Sequence, residues 1–224
     1  MKLMRLALVA LVVVASATTL ATGPASAETP SPSPSPSPGP GPPPPYLEAS
    51  PLRVTSGGAV DVIVRQGGIE GHVDLYAANR VDRVYRVIRS GTMGTGGAAF
   101  RVYPDQHKSL YAVSDSGANR GHSNFVDISV TAAVSITADR TAARTYTFAG
   151  VVRPVVTGAV VSLFRRDPAS GRAILTAQGR TSDNGSYRIS RYFTGSGRFQ
   201  FFTSTAGTDA YDAGTSSFRS TLIY

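Results

Sequence analysis

The stretch Gly71-His72-Val73-Asp74-Leu75-Tyr76 is echoed by Gly158-Ala159-Val160-Val161-Ser162-Leu163-Phe164 about 88 residues later in the chain. In each stretch apolar residues alternate with more polar ones, which is typical of a β-strand with one buried face. A polar, Arg-rich run, a glycine turn and a second alternating segment follow both stretches. Because the echo repeats strands and carries no chemical motif, it predicts a tandem of two similar β units.

The same alternation continues on both sides of these stretches, and helical periodicity is almost absent. Val60, Val62 and Val64 share one side of a strand, and the run 84–89 is predicted as a further strand with two phases. Turn residues separate such runs, most strongly at Asp183-Asn184-Gly185. About seven short strands in each unit of roughly 90 residues predict an all-β fold of two tandem antiparallel sandwiches.

The two sandwiches are predicted at residues 46–132 and 133–224. The boundary near Ala132-Ala133 contains neither Gly nor Pro. The last strand of the first unit therefore runs almost directly into the first strand of the second, and we expect a short, stiff junction.

The first 27 residues have the features of a signal peptide. Lys2 and Arg5 precede the uncharged apolar stretch Leu6–Ala17, and Ala25-Ser26-Ala27 fits a cleavage site before Glu28. The alternative is an uncleaved membrane anchor, because the whole uncharged run is long enough to span a bilayer, although polar residues weaken its second half. Both alternatives predict export, with the protein secreted or associated with the cell wall.

Residues 28–45 form a proline-rich segment that reads Glu-Thr-Pro-(Ser-Pro)4-Gly-Pro-Gly-Pro-Pro-Pro-Pro. Proline fixes φ and removes backbone donors, so neither helix nor sheet is expected. The segment is predicted to be an extended polyproline spacer of about 3.1 Å per residue, roughly 50 Å in all. Its Ser and Thr residues are candidate O-glycosylation sites. If the anchor is retained, this spacer holds the two units away from the membrane.

The amino-acid composition limits the kinds of binding and catalytic site that the chain can carry. The chain has no cysteine, which excludes a disulfide framework and a thiolate metal site. Residues 46–132 carry nine basic and eight acidic groups, whereas residues 133–224 carry eleven Arg and five Asp. A basic second half predicts attraction to anionic wall polymers, lipid headgroups or acidic glycans, the alternative being ordinary surface Arg from a GC-rich genome. No nucleic-acid-binding motif is present.

Thr181-Ser182-Asp183-Asn184-Gly185-Ser186-Tyr187 resembles the turn and strand of bacterial immunoglobulin-like repeat domains from secreted actinobacterial proteins. The stretches 197–201 and 215–218 match the later Gly-x-Tyr/Phe strand and final Ser-rich strand of that family, and 158–165 matches its Gly-x-x-Val-x-Leu strand. The first unit matches more loosely, with Thr95-Gly96-Gly97 in place of the Asp-Asn-Gly turn. The resemblance implies two immunoglobulin-like sandwiches, and it implies no catalytic site.

Candidate catalytic and metal-binding residues are few. His72, His107 and His122 all lie in the first unit, where Asp105 beside His107 or Ser123 beside His122 suggests an unrecognised hydrolase or a metal-dependent protein. Adjacent residues on a strand point to opposite faces, which disfavours the Ser123 pairing. No Gly-x-Ser-x-Gly or His-Glu-x-x-His motif occurs.

Two aspartates and two phenylalanines of the second unit could each serve a ligand site or a purely structural role. Asp209 and Asp212 could contribute to a Ca²⁺ site, but Ca²⁺ takes about six or more oxygens and a solvated turn is favoured. Phe193 and Phe202 are candidates for stacking on a sugar ring, but packing in the core is favoured over that role.

Arginines of the second unit are the most suggestive cluster for binding. Forked guanidinium groups suit a phosphate-rich or sulfated polymer, whereas the alternative is an ordinary solvated face. The proposed polyanion-binding residues are Arg165, Arg166, Arg172, Arg180 and Arg188, with Arg191 and Arg198 nearby.

Together these features predict a secreted or cell-surface, non-enzymatic interaction or spacer protein that needs no cofactor. Its expected partner is an unidentified protein, or an anionic wall polymer or polysaccharide bound by the Arg-rich unit. A membrane is a partner only if the signal segment is retained as an anchor, and no nucleic acid is expected.

Overall fold

The computed structural model describes residues 43–67, 70–116 and 120–224. In these residues the chain forms eighteen strands and no helix, which confirms the all-β prediction. None of the described residues forms a helix long and apolar enough to cross a membrane. The predicted signal peptide and the proline-rich segment up to residue 42 lie outside the described residues.

The first half of the described chain forms two facing sheets. One sheet has the order β1-β3-β6, and the other has the order β2-β9-β7-β4-β5 with β8 paired to β7. All pairs are antiparallel except β2 with β9. The strands are β1 (Tyr46–Ser50), β2 (Arg53–Thr55), β3 (Val60–Arg65), β4 (Gly71–Asn79), β5 (Arg86–Met93), β6 (Ala98–Val102), β7 (Lys108–Asp115), β8 (Arg120–His122) and β9 (Val126–Thr131).

The second half repeats this arrangement. One sheet has the order β10-β12-β11 with β15 paired to β12, and the other has the order β14-β13-β16-β17 with β18 paired to β16. The strands are β10 (Ala133–Val134), β11 (Thr137–Ala142), β12 (Thr145–Arg153), β13 (Val160–Arg166), β14 (Ala173–Arg180), β15 (Ser186–Tyr192), β16 (Gly197–Thr205), β17 (Gly214–Thr215) and β18 (Arg219–Ile223).

The two similar sequence stretches form strands that pair with equivalent neighbours in each half. β4 pairs with β5 and β7, and its counterpart β13 pairs with β14 and β16. The register of β4 with β5 shifts between Leu75 and Tyr76, and that of β13 with β14 shifts between Leu163 and Phe164. A bulge at the same point of both hairpins re-aims the following side chain in the same way.

Each half has its own apolar core between its two sheets. In the first core Val60, Val62 and Val64 are fully buried, as their alternation predicts. In the second core the buried rings of Phe148 and Phe201 lie 4.8 Å apart, centroid to centroid. Burying a side chain of this size stabilises a fold by about 1.5–3 kcal/mol. The first core uses residues 47–130 and the second uses residues 132–223.

The run 84–89 departs from the sequence expectation. Its apolar residues Val84, Val87 and Ile88 are all exposed, in both phases of the alternation. β5 is an edge strand of the wider sheet of the first half, and the facing sheet has only three strands. The narrower sheet therefore leaves most of β5 uncovered, and only Met93 at its end is buried.

A loop of the second half, residues 207–214, joins the two halves through backbone hydrogen bonds. The Asp212 N–H donates to the Val130 carbonyl at 2.7 Å, the Ala132 N–H donates to the Asp212 carbonyl at 3.0 Å, and the His107 N–H donates to the Ala210 carbonyl at 2.7 Å. The Arg53 guanidinium also pairs with the Asp212 carboxylate at 2.6 Å. That ion pair is exposed and contributes only about 0–1 kcal/mol, so the backbone bonds dominate this contact.

Two buried tyrosines in the second core differ in their hydrogen bonding. The Tyr187 hydroxyl donates to the Ser135 carbonyl at 2.6 Å and lies 2.8 Å from the Thr203 hydroxyl. The Tyr211 hydroxyl has no partner among the described residues. We expect Tyr187→Phe to lower the free energy of unfolding by about 1–3 kcal/mol. Tyr211→Phe should leave it unchanged or raise it, because a buried hydroxyl without a partner is removed. Urea denaturation of the two variants measures the difference.

The same tyrosines predict an alkaline loss of stability. Burial raises the pKa of Tyr187 and of Tyr211 in the folded chain above the usual value of about 10. Their contribution is therefore fully present below about pH 10 and is lost as pH rises through the folded pKa, because the unfolded chain releases these protons first. Urea midpoints measured upward from pH 8 should fall above pH 10, and less steeply in Tyr211→Phe than in the parent. An equal slope would contradict this assignment.

Candidate binding faces

Aromatic side chains form a contiguous group on the outer face of the wider sheet of the first half. Tyr76 on β4 and Tyr111 on β7 are direct cross-strand partners, and their rings stack 4.8 Å apart at an interplanar angle of 10°. Tyr85 packs edge-on against Tyr111 at 5.0 Å, and Phe125 lies 5.3 Å from Tyr111. We call these four residues the first aromatic face.

The second half carries an equivalent group. Phe164 on β13 and Phe202 on β16 are direct partners, and their rings stack 5.2 Å apart at 15°. Phe218 packs edge-on against Phe202 at 5.2 Å and is 54% exposed, and the Arg166 guanidinium lies 5.5 Å above its ring. We call Phe164, Phe202 and Phe218 the second aromatic face.

A serine two residues before Phe125 and another two residues before Phe218 make the same backbone contacts in both halves. The Ser123 hydroxyl accepts from the Ala112 N–H at 2.8 Å, and the Ser123 N–H donates to the Ala112 carbonyl at 2.9 Å. Ser216 makes the same two bonds with Thr203, both at 2.9 Å. Phe125 and Phe218 each follow two residues after that serine. The two halves thus share a surface arrangement as well as a core.

The way the aromatic rings stack in each face decides whether a sugar ring can stack on them. In a cross-strand stacked pair each ring covers one face of its partner, so the pair stands upright on the sheet and presents ring edges to solvent. A sugar ring stacks on an open aromatic face. Phe202 is covered by Phe164 on one side and contacted by Phe218, so it has no fully open face for such stacking. Phe193, the other candidate for sugar stacking, packs against Phe148 and Phe201 at the second core.

Polar groups border the first aromatic face. The Asp74 carboxylate accepts from the Ser90 hydroxyl at 2.5 Å and lies 2.9 Å from Nε2 of His72. The Ser90 hydrogen bond, with His72 and Arg120 adding to it, holds the pKa of Asp74 below its usual range. Burial raises the pKa of Tyr111, and Tyr76 and Tyr85 add to that shift. Tyr111 therefore keeps its phenolic proton at physiological pH.

The predicted polyanion-binding arginines lie in pairs at separate clefts. Arg166 and Arg198 line a cleft of about 360 Å³ beside the second aromatic face. Arg180 and Arg188 line another of about 470 Å³ that joins the two sheets of the second half. Within the described ranges, no Arg of residues 133–224 forms a salt bridge.

The remaining arginines of the predicted set have different surroundings. Arg165 is half-buried, with its guanidinium 5.0 Å above the Phe199 ring, and it shares a cleft of about 260 Å³ with Arg191. Arg172 is exposed, in the turn between β13 and β14. The strand register explains this separation, because β13 places Arg165 and Arg166 on opposite faces of one sheet.

The three histidines do not converge. His72 is exposed beside Asp74, and the exposed His122 ring lies 6.0 Å from Tyr111. His107 is buried at the contact between the halves, where its Nδ1 accepts from the Val130 N–H at 2.9 Å. In the part of the chain that the structure describes, no three His, Cys, Asp or Glu side chains gather as a metal site.

The other candidate catalytic and calcium residues have structural partners. The Ser123 hydroxyl donates to the Asn124 carbonyl while it accepts from Ala112, so backbone groups occupy it. Asp105 pairs with Lys108 at 3.1 Å, and Asp212 pairs with Arg53. Asp209 is exposed in the loop that contacts the first half. Structural contacts therefore account for Ser123, Asp105 and Asp212.

Comparison with solved structures identifies the fold. A two-domain fibronectin type III segment of chicken tenascin aligns with 80% of this chain and 98% of its own length, with a TM-score of 0.53 at 10% identity. The chain has a tandem immunoglobulin-like fold. At this identity the likeness shows the fold alone.

Two further structures align less closely. A tetra-tandem repeat from the extending region of a large adhesion protein aligns with 80% of the chain at 12% identity and a TM-score of 0.38. The chain spans about half, 49%, of that repeat structure. A cytokine receptor complex aligns with 79% of the chain and 94% of its own length, at 11% identity and a TM-score of 0.39. No protein-family model and no curated protein matches the chain.

Proposed function

We propose that the protein is an exported, non-enzymatic interaction and spacer protein built of two immunoglobulin-like modules, residues 46–132 and 133–224. The observation that carries this proposal is the repetition of an upright aromatic group on the outer sheet face of each half. Rings at these positions contribute nothing to either core, so their repetition is best explained by contacts with a partner. The signal-like first 27 residues and the proline-rich segment support the proposal that these modules act outside the cell.

The contact between the halves supports the spacer role. Backbone bonds from the loop 207–214 to Val130, Ala132 and His107 restrict bending at the boundary. Two modules with restricted bending at their boundary present both aromatic faces at a defined separation. Two faces held at one separation bind a long or repeated partner with a higher effective concentration than two independent modules do.

Small-angle scattering tests the rigid contact. A Cβ at Gly214 would lie 2.1 Å from the Ala132 carbonyl oxygen, so Gly214→Val should separate the loop from the first half. We expect a single, narrow distribution of dimensions for the parent and a broader, longer one for Gly214→Val. Ala213→Val, at the neighbouring exposed position, is the matched control and should resemble the parent. A parent as variable as Gly214→Val would contradict the spacer proposal.

Export is tested by the N-terminal residue of protein recovered from culture. Protein in the medium that begins at Glu28 supports a released protein. Protein in membranes that still begins at Met1 supports a tethered one. Recovery only from the cytoplasm would contradict export.

A second candidate function is binding of an anionic wall polymer or polysaccharide by the second half. The observation that favours it is the absence of salt bridges, within the described residues, at its arginines, together with the Arg166–Arg198 and Arg180–Arg188 clefts. The Asp167 carboxylate also lines the Arg166–Arg198 cleft, but it forms no salt bridge with either guanidinium, so both are available for forked contacts with phosphate or sulfate.

Cell-wall pull-down tests this second candidate. Retention should fall steeply with added salt, because screening weakens contacts between charges. The double variant Arg166→Gln with Arg198→Gln should reduce retention several-fold. The matched control, Arg80→Gln with Arg83→Gln in the first half, removes the same charge and should retain binding. Salt-independent retention, or equal losses in both double variants, would contradict a specific site.

A further inference from the structure

A cleft of about 340 Å³ opens between β5 and the end of β6, where the narrower sheet leaves β5 uncovered. Apolar side chains of the first core form its floor, while the edge strand and the segment after β6 form its sides. The floor consists of Ala77, Val102, Leu110 and Ile128, and the sides include Ile88, Arg89, Tyr103 and Lys108. Pockets that hold small molecules have this composition, mostly apolar with a few polar groups.

The strand register relates this cleft to a place in the second half that an aromatic ring fills. Ala77 on β4 pairs with Leu110 on β7, and Arg165 on β13 pairs with Phe201 on β16 at the equivalent positions. The ring of Phe193, which follows β15, packs against Phe201 at 5.5 Å. In the second half a phenyl ring therefore lies against the position that Leu110 occupies in the first half.

The first half has no ring of its own at the equivalent place. The segment after β6 reads Tyr103-Pro104-Asp105-Gln106, and its single aromatic residue, Tyr103, is 60% exposed. The small side chain of Ala77 widens the space further, because its counterpart Arg165 extends over the Phe199 ring in the second half. The cleft is thus an apolar space whose counterpart contains a phenyl ring.

The charged groups that line the cleft favour a ligand with an anionic end. Lys108 is paired with Asp105 at 3.1 Å. Arg89 forms no salt bridge with a carboxylate of the described residues, and its Nη1 donates to the Ile88 carbonyl at 3.1 Å. A guanidinium holds a carboxylate through two parallel hydrogen bonds, so Arg89 can bind a carboxylate at the side of the cleft.

We propose that the first half binds a small aromatic carboxylate, with the ring on the floor of the cleft and the carboxylate at Arg89. The volume of the cleft is near the lower end of the range for ligand pockets, about 300–1,000 Å³, which suits a ring on a short chain. The second half is not expected to bind the same ligand, because Phe193 occupies the equivalent place. This inference goes beyond the proposed function and depends neither on export nor on a protein partner.

Titration of the full chain with 3-phenylpropionate, followed by methyl resonances, tests the proposal. We expect saturable shifts at Val102, Leu110 and Ile128, and none at Leu163 and Ile223 in the second core. The alcohol 3-phenylpropan-1-ol has the same ring without the charge and should bind about three- to tenfold more weakly, because it makes no ion pair with Arg89. The absence of saturable shifts, equal shifts in both cores, or equal affinity for the alcohol would overturn the proposal.

Variants of β4 and β5 locate the bound ligand. Arg89→Gln should weaken binding of 3-phenylpropionate by about three- to tenfold and leave binding of the alcohol unchanged. Arg86→Gln is the matched control, because Arg86 is also exposed on β5 but does not line the cleft, and it should bind as the parent does. Equal losses in these two variants would overturn the proposal.

A third variant fills the cleft itself. Ala77→Leu adds apolar volume at the floor and should abolish binding of both the carboxylate and the alcohol. Unchanged methyl resonances of the second core would show that this variant is folded. A folded Ala77→Leu protein that binds 3-phenylpropionate as the parent does would overturn the proposal.

Discussion

Replacing Phe201 with Ala is expected to lower the free energy of unfolding of the second half by about 3–5 kcal/mol. Phe201 is fully buried, and its ring lies 4.8 Å from Phe148 and 5.5 Å from Phe193. Truncation removes the burial of the ring and leaves a cavity that neighbouring rings cannot fill without leaving their own positions. Urea denaturation followed by far-ultraviolet circular dichroism measures the loss.

Phe202 provides the control for this prediction. It follows Phe201 directly on β16 but points to the outer face, where it is half-buried against Phe164. Phe202→Ala should therefore cost only about 0.5–1.5 kcal/mol, the contribution of an aromatic pair at the surface. Equal costs for the two neighbours would mean that the side chains of β16 do not alternate between core and surface.

The second large effect is expected for Gly150→Ala on β12. A Cβ at this position would lie 2.0 Å from the Ser135 carbonyl oxygen and 2.7 Å from the Tyr187 hydroxyl. The backbone at Ser135 must move away, which breaks its bond from Tyr187 and the 3.0 Å bond from the Ser135 N–H to the Val151 carbonyl. We expect a loss of about 3 kcal/mol or more, from overpacking combined with two lost hydrogen bonds. The thermal unfolding midpoint reports it.

Gly195→Ala is the matched control for this substitution. The same methyl group would meet no atom within 4 Å at position 195. The control should leave the unfolding midpoint close to that of the parent, since an exposed glycine is replaced without a clash. If both variants were equally stable, the close approach of β12 to Ser135 would be wrong.

The sequence predicts which side chains point inward where apolar and polar residues alternate along a strand and one face of that strand is buried. Val60, Val62 and Val64 were predicted to share a face, and all three are fully buried. Tyr187 and Ile189 are buried and Arg188 between them is exposed, as the same alternation requires. These residues follow a rule of local geometry, because successive side chains of a strand point to opposite faces.

The run 84–89 shows the limit of this rule. Alternation there predicts a strand, and β5 forms from Arg86 onward, but no local pattern reveals that the facing sheet is too narrow to cover it. Burial depends on how many strands each sheet has, and that number is a property of the whole fold. The exposed Val84, Val87 and Ile88 follow from this.

The aromatic faces were missed for a related reason. Tyr76 meets Tyr111, and Phe164 meets Phe202, only through the register of strands far apart in sequence. Two signals could have indicated them: the echo ends on an aromatic residue in both halves, and Ser-x-Phe occurs at both 123–125 and 216–218. Arg165 and Arg166 were grouped by sequence adjacency, but a strand separates adjacent residues onto opposite faces.

The central claim is that the two halves carry the same aromatic arrangement on the outer faces of matching sheets. Nuclear Overhauser effects between assigned ring protons test it most directly. We predict strong cross-peaks between Tyr76 and Tyr111 and between Phe164 and Phe202, together with cross-peaks from Phe218 to Phe202 and from Phe125 to Tyr111. Cross-peaks that place Phe202 or Tyr111 against core residues such as Leu163 or Leu75, with the cross-strand ring pairs missing, would contradict it.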